Sequence, residues 1–223
     1  MAAASIRNIV FLVLPWIILL PLFLSVLGYR HYPTPLKIIT AYLFVSTITQ
    51  VLSLTLWLQK INNLPLLHLF TLAEYFLLLR FYQLLLHHPG SLVGRILLLY
   101  ALPAFLLTDS IWLEGLFHFN VFGRSLEAGA LFVLSLLLFL QQANEKYLAH
   151  SGSNATILTI NSGFLIYFSG SLLLFSFRNI VSQATLAWRL NIWTIHSLLA
   201  CVLYGFMATG LWKYRQHQKD RKS

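Results

Sequence analysis

The sequence predicts an all-α protein, a bundle of seven membrane-spanning helices with its N-terminus outside and its C-terminus in the cytoplasm. The first observation behind this prediction is composition, because 58% of the 223 residues are hydrophobic and only 9% are charged. Soluble domains carry about 25% charged residues, so this chain lacks the charge that a water-facing surface needs. The second observation is a series of long apolar runs, and the third is an uneven distribution of basic residues.

Seven apolar runs follow one another, each long enough to cross about 30 Å of hydrocarbon. They cover residues 9–27, 35–58, 64–86, 92–112, 121–141, 156–177 and 188–212. The connections between them are short, so residues 1–212 are interpreted as one transmembrane domain and residues 213–223 as a basic cytoplasmic tail. Lipid admits helices or closed barrels, and uniformly apolar runs of this length are typical of helices.

Prolines and one asparagine indicate where helices begin and bend. Pro35 and Pro65 fall in first turns, where the missing N–H costs nothing, and Asn63 is placed to cap the third helix. Pro15, Pro21 and Pro103 lie inside apolar runs, which predicts helix kinks at these positions.

The basic residues predict the orientation of the bundle. One side would carry Arg30, Lys37, Arg95, Lys146, Lys213, Arg215, Lys219, Arg221 and Lys222, and the other Arg7, Lys60, Arg178 and Arg189. Nine against four places the C-terminal side in the cytoplasm, because cytoplasmic ends of membrane helices are enriched in Lys and Arg. This bias explains the formal charge of +9 without a nucleic-acid partner, and it indicates that the tail contacts anionic membrane lipid or a cytoplasmic signalling partner.

Polar residues form stripes on three of the predicted helices. The second carries Tyr42, Ser46, Thr49, Ser53 and Trp57 on one face with Gln50 beside them, and the seventh carries Asn191, Thr194, Ser197, Cys201 and Tyr204. The sixth carries Thr156, Thr159, Ser162, Gly163, Tyr167 and Gly170, a pattern that favours close helix packing. For the second and seventh helices, Gln50 and Asn191 bring more polarity than packing requires, so a binding surface is an equal alternative.

Ionisable residues concentrate in the outer half of the predicted bundle. His68, Glu74, Glu127 and His196 lie within apolar runs, where a charge is costly and is typically functional. Glu74 is near the predicted midplane and has no basic residue three or four positions away. It is therefore either protonated or paired with another helix, and Gln50, Asn191 and His196 are the candidate partners.

Two other acidic residues have simpler interpretations. Arg124 and Glu127 are three residues apart on one helix face, which predicts a structural ion pair. Asp109 lies at the outer end of the fourth run, so it is expected to be solvated.

The sequence predicts neither a cofactor nor a metal site. Every lysine lies at a predicted helix end or in the tail, which excludes a retinal Schiff base inside the bundle. His196 is followed four residues later by Ala200, so the H-x-x-x-H pair of seven-helix zinc hydrolases is missing. No catalytic residue is assigned.

The stretch "NNLPLLHLFTLAEYFLLLRFY", followed later by "IHSLLACVLYGFMATGLWK", resembles small uncharacterised seven-helix integral membrane proteins of bacteria. The resemblance covers most of the chain. It implies a fold and a location in the bacterial inner membrane, and it implies no particular activity.

The leading hypothesis is a receptor-like membrane sensor that binds a small molecule or lipid in an outward-facing polar pocket. The predicted ligand-binding residues are Glu74, His68, Gln50, Asn191, His196 and Tyr204. Three alternatives remain: an intramembrane lipid-modifying enzyme that uses a metal or a carboxylate, a small-solute transporter, and polar groups that only hold helices together.

Overall fold

Every regular element in the described part of the chain is helical. The computed structural model describes residues 14–86, 94, 96–113, 115–118, 121–144, 152–176 and 186–220. The helical segments are α1 (Leu19–Gly28), α2 (Thr34–Leu58), α3 (Leu64–Leu85), α4 (Leu97–Leu113), α5 (Val121–Asn144), α6 (Gly152–Ser176) and α7 (Leu186–Asp220). A 3₁₀ turn, Leu14–Ile18, precedes α1, and another, Tyr29–His31, follows it.

Five of these helices (α2, α3, α5, α6 and α7) are long and apolar enough to cross a membrane. Two shorter apolar helices, Trp16–His31 and Leu97–Leu113, occupy the positions of the first and fourth predicted spans. Residues 9–13 of the first predicted span, with Arg7, Arg95, Lys146 and Arg178, lie outside the described residues. Residues 213–220, predicted as part of a tail, continue α7 as a helix.

Helix ends and irregularities follow local chemistry. Pro35 and Pro65 lie in the first turns of α2 and α3, as predicted. Asn63 is at the N-cap of α3, but its Nδ2 donates to Ser53 Oγ at 2.6 Å, and the expected cap is missing. Asn62 takes that role, since its Oδ1 accepts from Leu64 N at 2.9 Å. The turn before Pro103, Leu97–Ala101, is π-helical. A proline ring clashes with the carbonyl four residues before it, which explains the wider turn.

The α6–α7 pair packs closely through glycine. A Cβ added at Gly163 would lie 2.7 Å from Phe206 Cβ, and one added at Gly210 would lie 2.9 Å from Ile160 Cγ1. At this contact Thr156 Oγ1 also donates to the Gly210 carbonyl oxygen at 3.2 Å. Without water to drive association, close backbone approach is what holds membrane helices together.

An aromatic and polar core lies in the centre of the bundle. The rings of Tyr42, Phe81, Tyr82, Phe164 and Phe168 are buried and contact one another at centroid distances between 5.2 and 6.5 Å. Asn161 ties three helices together beside them, because its Oδ1 accepts from Tyr82 Oη at 3.1 Å and from Ser135 Oγ at 3.0 Å.

Candidate functional site

A cavity of about 630 Å³ lies among α2, α3, α6 and α7, with Arg124 of α5 at its wall. On α2 its lining runs from Trp57, which is 63% exposed, to Tyr42, which is 2% exposed. At 1.5 Å per residue this is a depth of about 22 Å. The lining is mixed, with hydroxyls, amides and imidazoles between aromatic rings. Small-molecule sites in proteins have this size and this mixture of apolar and polar groups.

Five of the six residues predicted to bind a ligand line this cavity. They are Glu74, His68, Gln50, His196 and Tyr204. The sixth, Asn191, lies on α7, but its side chain is outside the described residues. The predicted stripe on α2 also faces the cavity, through Tyr42, Ser46, Thr49, Ser53 and Trp57.

The deep end of the cavity holds a carboxylate–arginine cluster, defined by Glu74, Arg124 and Glu127. Arg124 Nη1 donates to Glu74 Oε2 at 2.7 Å and to Glu127 Oε2 at 2.9 Å. Tyr42 Oη donates to the other oxygen of Glu74, Oε1, at 3.2 Å. The side chains of Glu74 and Glu127 are 1% and 2% exposed, so the ion pairs are shielded from solvent.

This geometry corrects the partner predicted for Glu74. The candidates were Gln50, Asn191 and His196, whereas the observed partner is Arg124, which the sequence assigned to Glu127 alone. The Arg124–Glu127 pair is present as the spacing predicted, but a single nitrogen of Arg124 serves both carboxylates. Residues fifty positions apart give no periodic signal, so sequence reasoning could not identify this pairing.

Two aromatic rings hold the guanidinium of Arg124 in place. Its Cζ lies 5.9 Å from the ring centroid of Phe70 on α3 and 5.6 Å from that of Phe175 on α6. Both contacts are cation–π interactions, which are strongest where water is excluded. Nη1 serves the carboxylates, while Nε and Nη2 make no hydrogen bond with the described residues.

His196 and His68 occupy different environments in the cavity wall. The ring of His196 packs between Tyr167, at 5.6 Å, and Phe175, at 5.5 Å between centroids. His68 is 2% exposed and uses both ring nitrogens, since Nε2 donates to the His118 carbonyl oxygen at 3.0 Å and Nδ1 lies 2.8 Å from Ser110 Oγ. Its role here is to join α3 to α4 and to the segment after it.

Asp109 is not solvated, contrary to the expectation from its position in the sequence. It is 0% exposed, and its Oδ2 accepts from the backbone N–H of Gly123 at 3.1 Å. Gly123 lies in the first turn of α5, whose N–H groups have no partners within the helix and attract negative charge. Asp109 therefore caps α5 from a neighbouring helix and helps to position Arg124 one residue further along.

The sequence predicted no ligand-binding residue on α6. Tyr167 and Phe175 line the cavity, whereas helix packing was the favoured interpretation of the α6 pattern. Both functions occur on the same helix, because Gly163 and Gly170 face α7 while the aromatic residues reach into the cavity. Tyr167 is four residues after Gly163 and three before Gly170, so a helical wheel places it on the glycine face and gives no sign that it reaches the cavity.

The described residues contain no group of three or more His, Cys, Asp or Glu side chains placed to share a metal ion. The lining itself offers polar and ionic recognition by the carboxylate–arginine cluster, with hydroxyl, amide and imidazole groups along the wall.

Comparison with known proteins supplies no further identification. No family model, no curated protein and no solved structure matches the chain. The resemblance to bacterial seven-helix membrane proteins stays a prediction, and the function is argued from the cavity itself.

Proposed function

We propose that this chain is a receptor-like, seven-span integral membrane protein that binds a small molecule or a lipid in the cavity above the carboxylate–arginine cluster. The observation that carries the proposal is that residues of five helices, far apart in the sequence, line one cavity of about 630 Å³. An ion cluster buried at the end of such a cavity is costly to maintain, and buried ionisable groups in membrane helices typically serve function.

Two contacts at the ends of the bundle support seven spans. Asn62 Nδ2 donates to the Phe117 carbonyl oxygen at 3.2 Å, so the α2–α3 turn and the segment after α4 lie at the same end. If α3 crosses the membrane, as its length permits, this contact requires α4 to cross back, which supports a crossing by α4. Tyr214 Oη donates to the His31 carbonyl oxygen at 3.1 Å, so this part of α7 lies at the same end of the bundle as the α1–α2 turn. The chain returns to that end if each of the six helices α2 to α7 crosses the membrane once.

The orientation and the partners belong to the same proposal. The end that contains Arg30, Lys37 and the last turns of α7 would face the cytoplasm of a bacterial cell, since it carries more basic residues. Lys213, Arg215 and Lys219 on α7 would then contact anionic lipid headgroups or a cytoplasmic signalling partner. The cavity would face the outer half of the inner membrane.

A cavity-filling substitution tests the binding function. Ala200 lines the cavity on α7, so Ala200→Phe would occupy part of its volume without changing the ion cluster. Val202 is 40% exposed on the same helix, so Val202→Phe is the matched control. We expect native mass spectrometry of the protein extracted in mild detergent to show a bound molecule in the wild type and in Val202→Phe, and to show none in Ala200→Phe.

The result that would contradict the proposal is equal occupancy in all three proteins, because the bound molecules would then lie outside the cavity. A melting curve for each variant establishes that Ala200→Phe is folded before its occupancy is compared.

A further inference from the structure

The carboxylate–arginine cluster contains more negative than positive charge. Glu74 and Glu127 both pair with Arg124, so with all three groups ionised the cluster carries a formal charge of −1. Arg124 is the only basic residue in the described part of the chain that pairs with either carboxylate. The excess charge is buried, because the side chains of Glu74 and Glu127 are 1% and 2% exposed.

Hydrogen bonding shows the same excess of acceptors. Glu127 Oε1 is buried and accepts no hydrogen bond from the described residues. Glu74 accepts one hydrogen bond at each oxygen, whereas a carboxylate can accept about four in total. An unpaired buried charge costs several kcal/mol even after the protein relaxes, so a proton or a bound cation must compensate it.

Among the residues that the structure describes, the other groups facing the cluster supply no positive charge. Facing the carboxylates are the tyrosines Tyr42 of α2, Tyr75 of α3, Tyr167 of α6 and Tyr204 of α7, and His196 of α7 faces Arg124. A positive charge on His196 would be repelled by Arg124. The compensating charge therefore has to enter from outside the cluster, and Glu74 forms part of the cavity wall through which it can enter.

We propose that the carboxylate–arginine cluster is a cation-exchange site, which holds one proton in the ligand-free protein and releases it when the ammonium group of an organic amine binds beside Glu74. The inference rests on the proposed ligand-binding function, because the cavity is the route by which the amine arrives. The exchange conserves charge, since one positive group enters as one proton leaves. The tyrosine rings at this end of the cavity suit an ammonium group, because aromatic faces attract cations.

The sign of the pH dependence follows from the exchange. Since amine binding releases a proton, the affinity for the amine rises with pH, by about tenfold per pH unit while the cluster holds its proton. A neutral ligand of the same shape shows no such slope.

Infrared spectroscopy of the full chain in lipid nanodiscs tests the proton directly. We expect a carbonyl-stretch band of a protonated carboxyl in the wild type, and its loss in both Glu74→Gln and Glu127→Gln. The chain has only six acidic residues, so such a band can be assigned by substitution. Asp109→Asn is the control, because Asp109 is equally buried but lies outside the cluster. A wild-type spectrum without the band, or a band lost only in Asp109→Asn, would overturn the proposal.

Three probes of similar shape test the exchange. Phenethylamine, phenylpropanol and phenylpropionate carry an ammonium, a hydroxyl and a carboxylate group. We expect phenethylamine to bind at least about tenfold more tightly than the other two probes. Its binding should also remove the carbonyl-stretch band of the protonated carboxyl. Glu127→Gln should lose the preference for phenethylamine, although Glu127 does not line the cavity. Preferential binding of phenylpropionate would contradict the proposal that the ligand is a cation, and it would still agree with the proposed ligand-binding function. A protein that shows the band but binds none of the three contradicts the exchange, whereas the occupancy of the cavity in the wild type and in Ala200→Phe tests the binding function separately.

Discussion

Arg124 supplies the positive charge beside two buried carboxylates. Among the described residues it is the only basic partner of Glu74 and Glu127, which come from different helices, and it is fixed between Phe70 and Phe175. Guanidinium is suited to this position because it is always charged and its planar face stacks on aromatic rings while Nη1 donates to both carboxylates.

Loss of Arg124 is expected to destabilise the protein strongly. Arg124→Met leaves two carboxylates unpaired, so the melting temperature in detergent should fall by an amount equivalent to about 3–5 kcal/mol. The control is Arg80→Met, since Arg80 is exposed on α3 and should lower stability little.

A triple variant shows whether Arg124→Met destabilises the protein through the unpaired carboxylates or through the changed side-chain volume. Adding Glu74→Leu and Glu127→Leu to Arg124→Met removes all three charges, and most of the stability should return because apolar replacements avoid the desolvation cost. If Arg124→Met and Arg80→Met melt at the same temperature, the cluster does not contribute to stability.

At the scale of elements, α6 and α7 depend on glycine only where their backbones approach. A Cβ on Gly210 would lie 2.9 Å from Ile160 Cγ1 and 3.2 Å from the Thr156 carbonyl oxygen, whereas one on Gly205 has no described neighbour within 4 Å. The two glycines are on the same helix and differ in what surrounds them. They therefore distinguish helix propensity from helix packing.

Gly210→Ala is expected to destabilise the bundle and Gly205→Ala is not. Forcing α6 away from α7 should cost about 1–3 kcal/mol, as overpacking does elsewhere. Gly205→Ala should be neutral or should stabilise by up to about 1 kcal/mol, because alanine loses less backbone entropy in a helix. Thermal unfolding of both variants in the same detergent checks this, and equal shifts would mean that close packing at Gly210 is unimportant.

At the scale of the whole molecule, α4 decides the topology. Its described residues, Leu97–Leu113, form a short and irregular helix, with π-helical turns at both ends. If α4 crosses the membrane, five helices separate residue 62 from residue 217, and the two positions lie on opposite sides. If it does not cross, four helices separate them, and both lie on the same side.

Cysteine labelling in intact cells tests this parity. Cys201 is the only cysteine, so Cys201→Ser gives a background for Asn62→Cys and His217→Cys. We expect a membrane-impermeant maleimide to label Asn62→Cys in intact cells and His217→Cys only after permeabilisation. Labelling of both from outside would show that α4 does not cross.

The sequence by itself determined the all-α class, the positions of the long helices and five of the residues that line the cavity. Composition and periodicity are properties of single helices, so they locate Glu74 on α3, the polar stripe on α2 and the Arg124–Glu127 pair on α5. Only the tertiary structure decided that Arg124 pairs with Glu74, that Asp109 is buried as the cap of α5, and that α6 contributes Tyr167 and Phe175. The physical reason is that lipid is as apolar as most helix faces, so sequence patterns do not specify which helices meet, and close packing and buried polar contacts decide it.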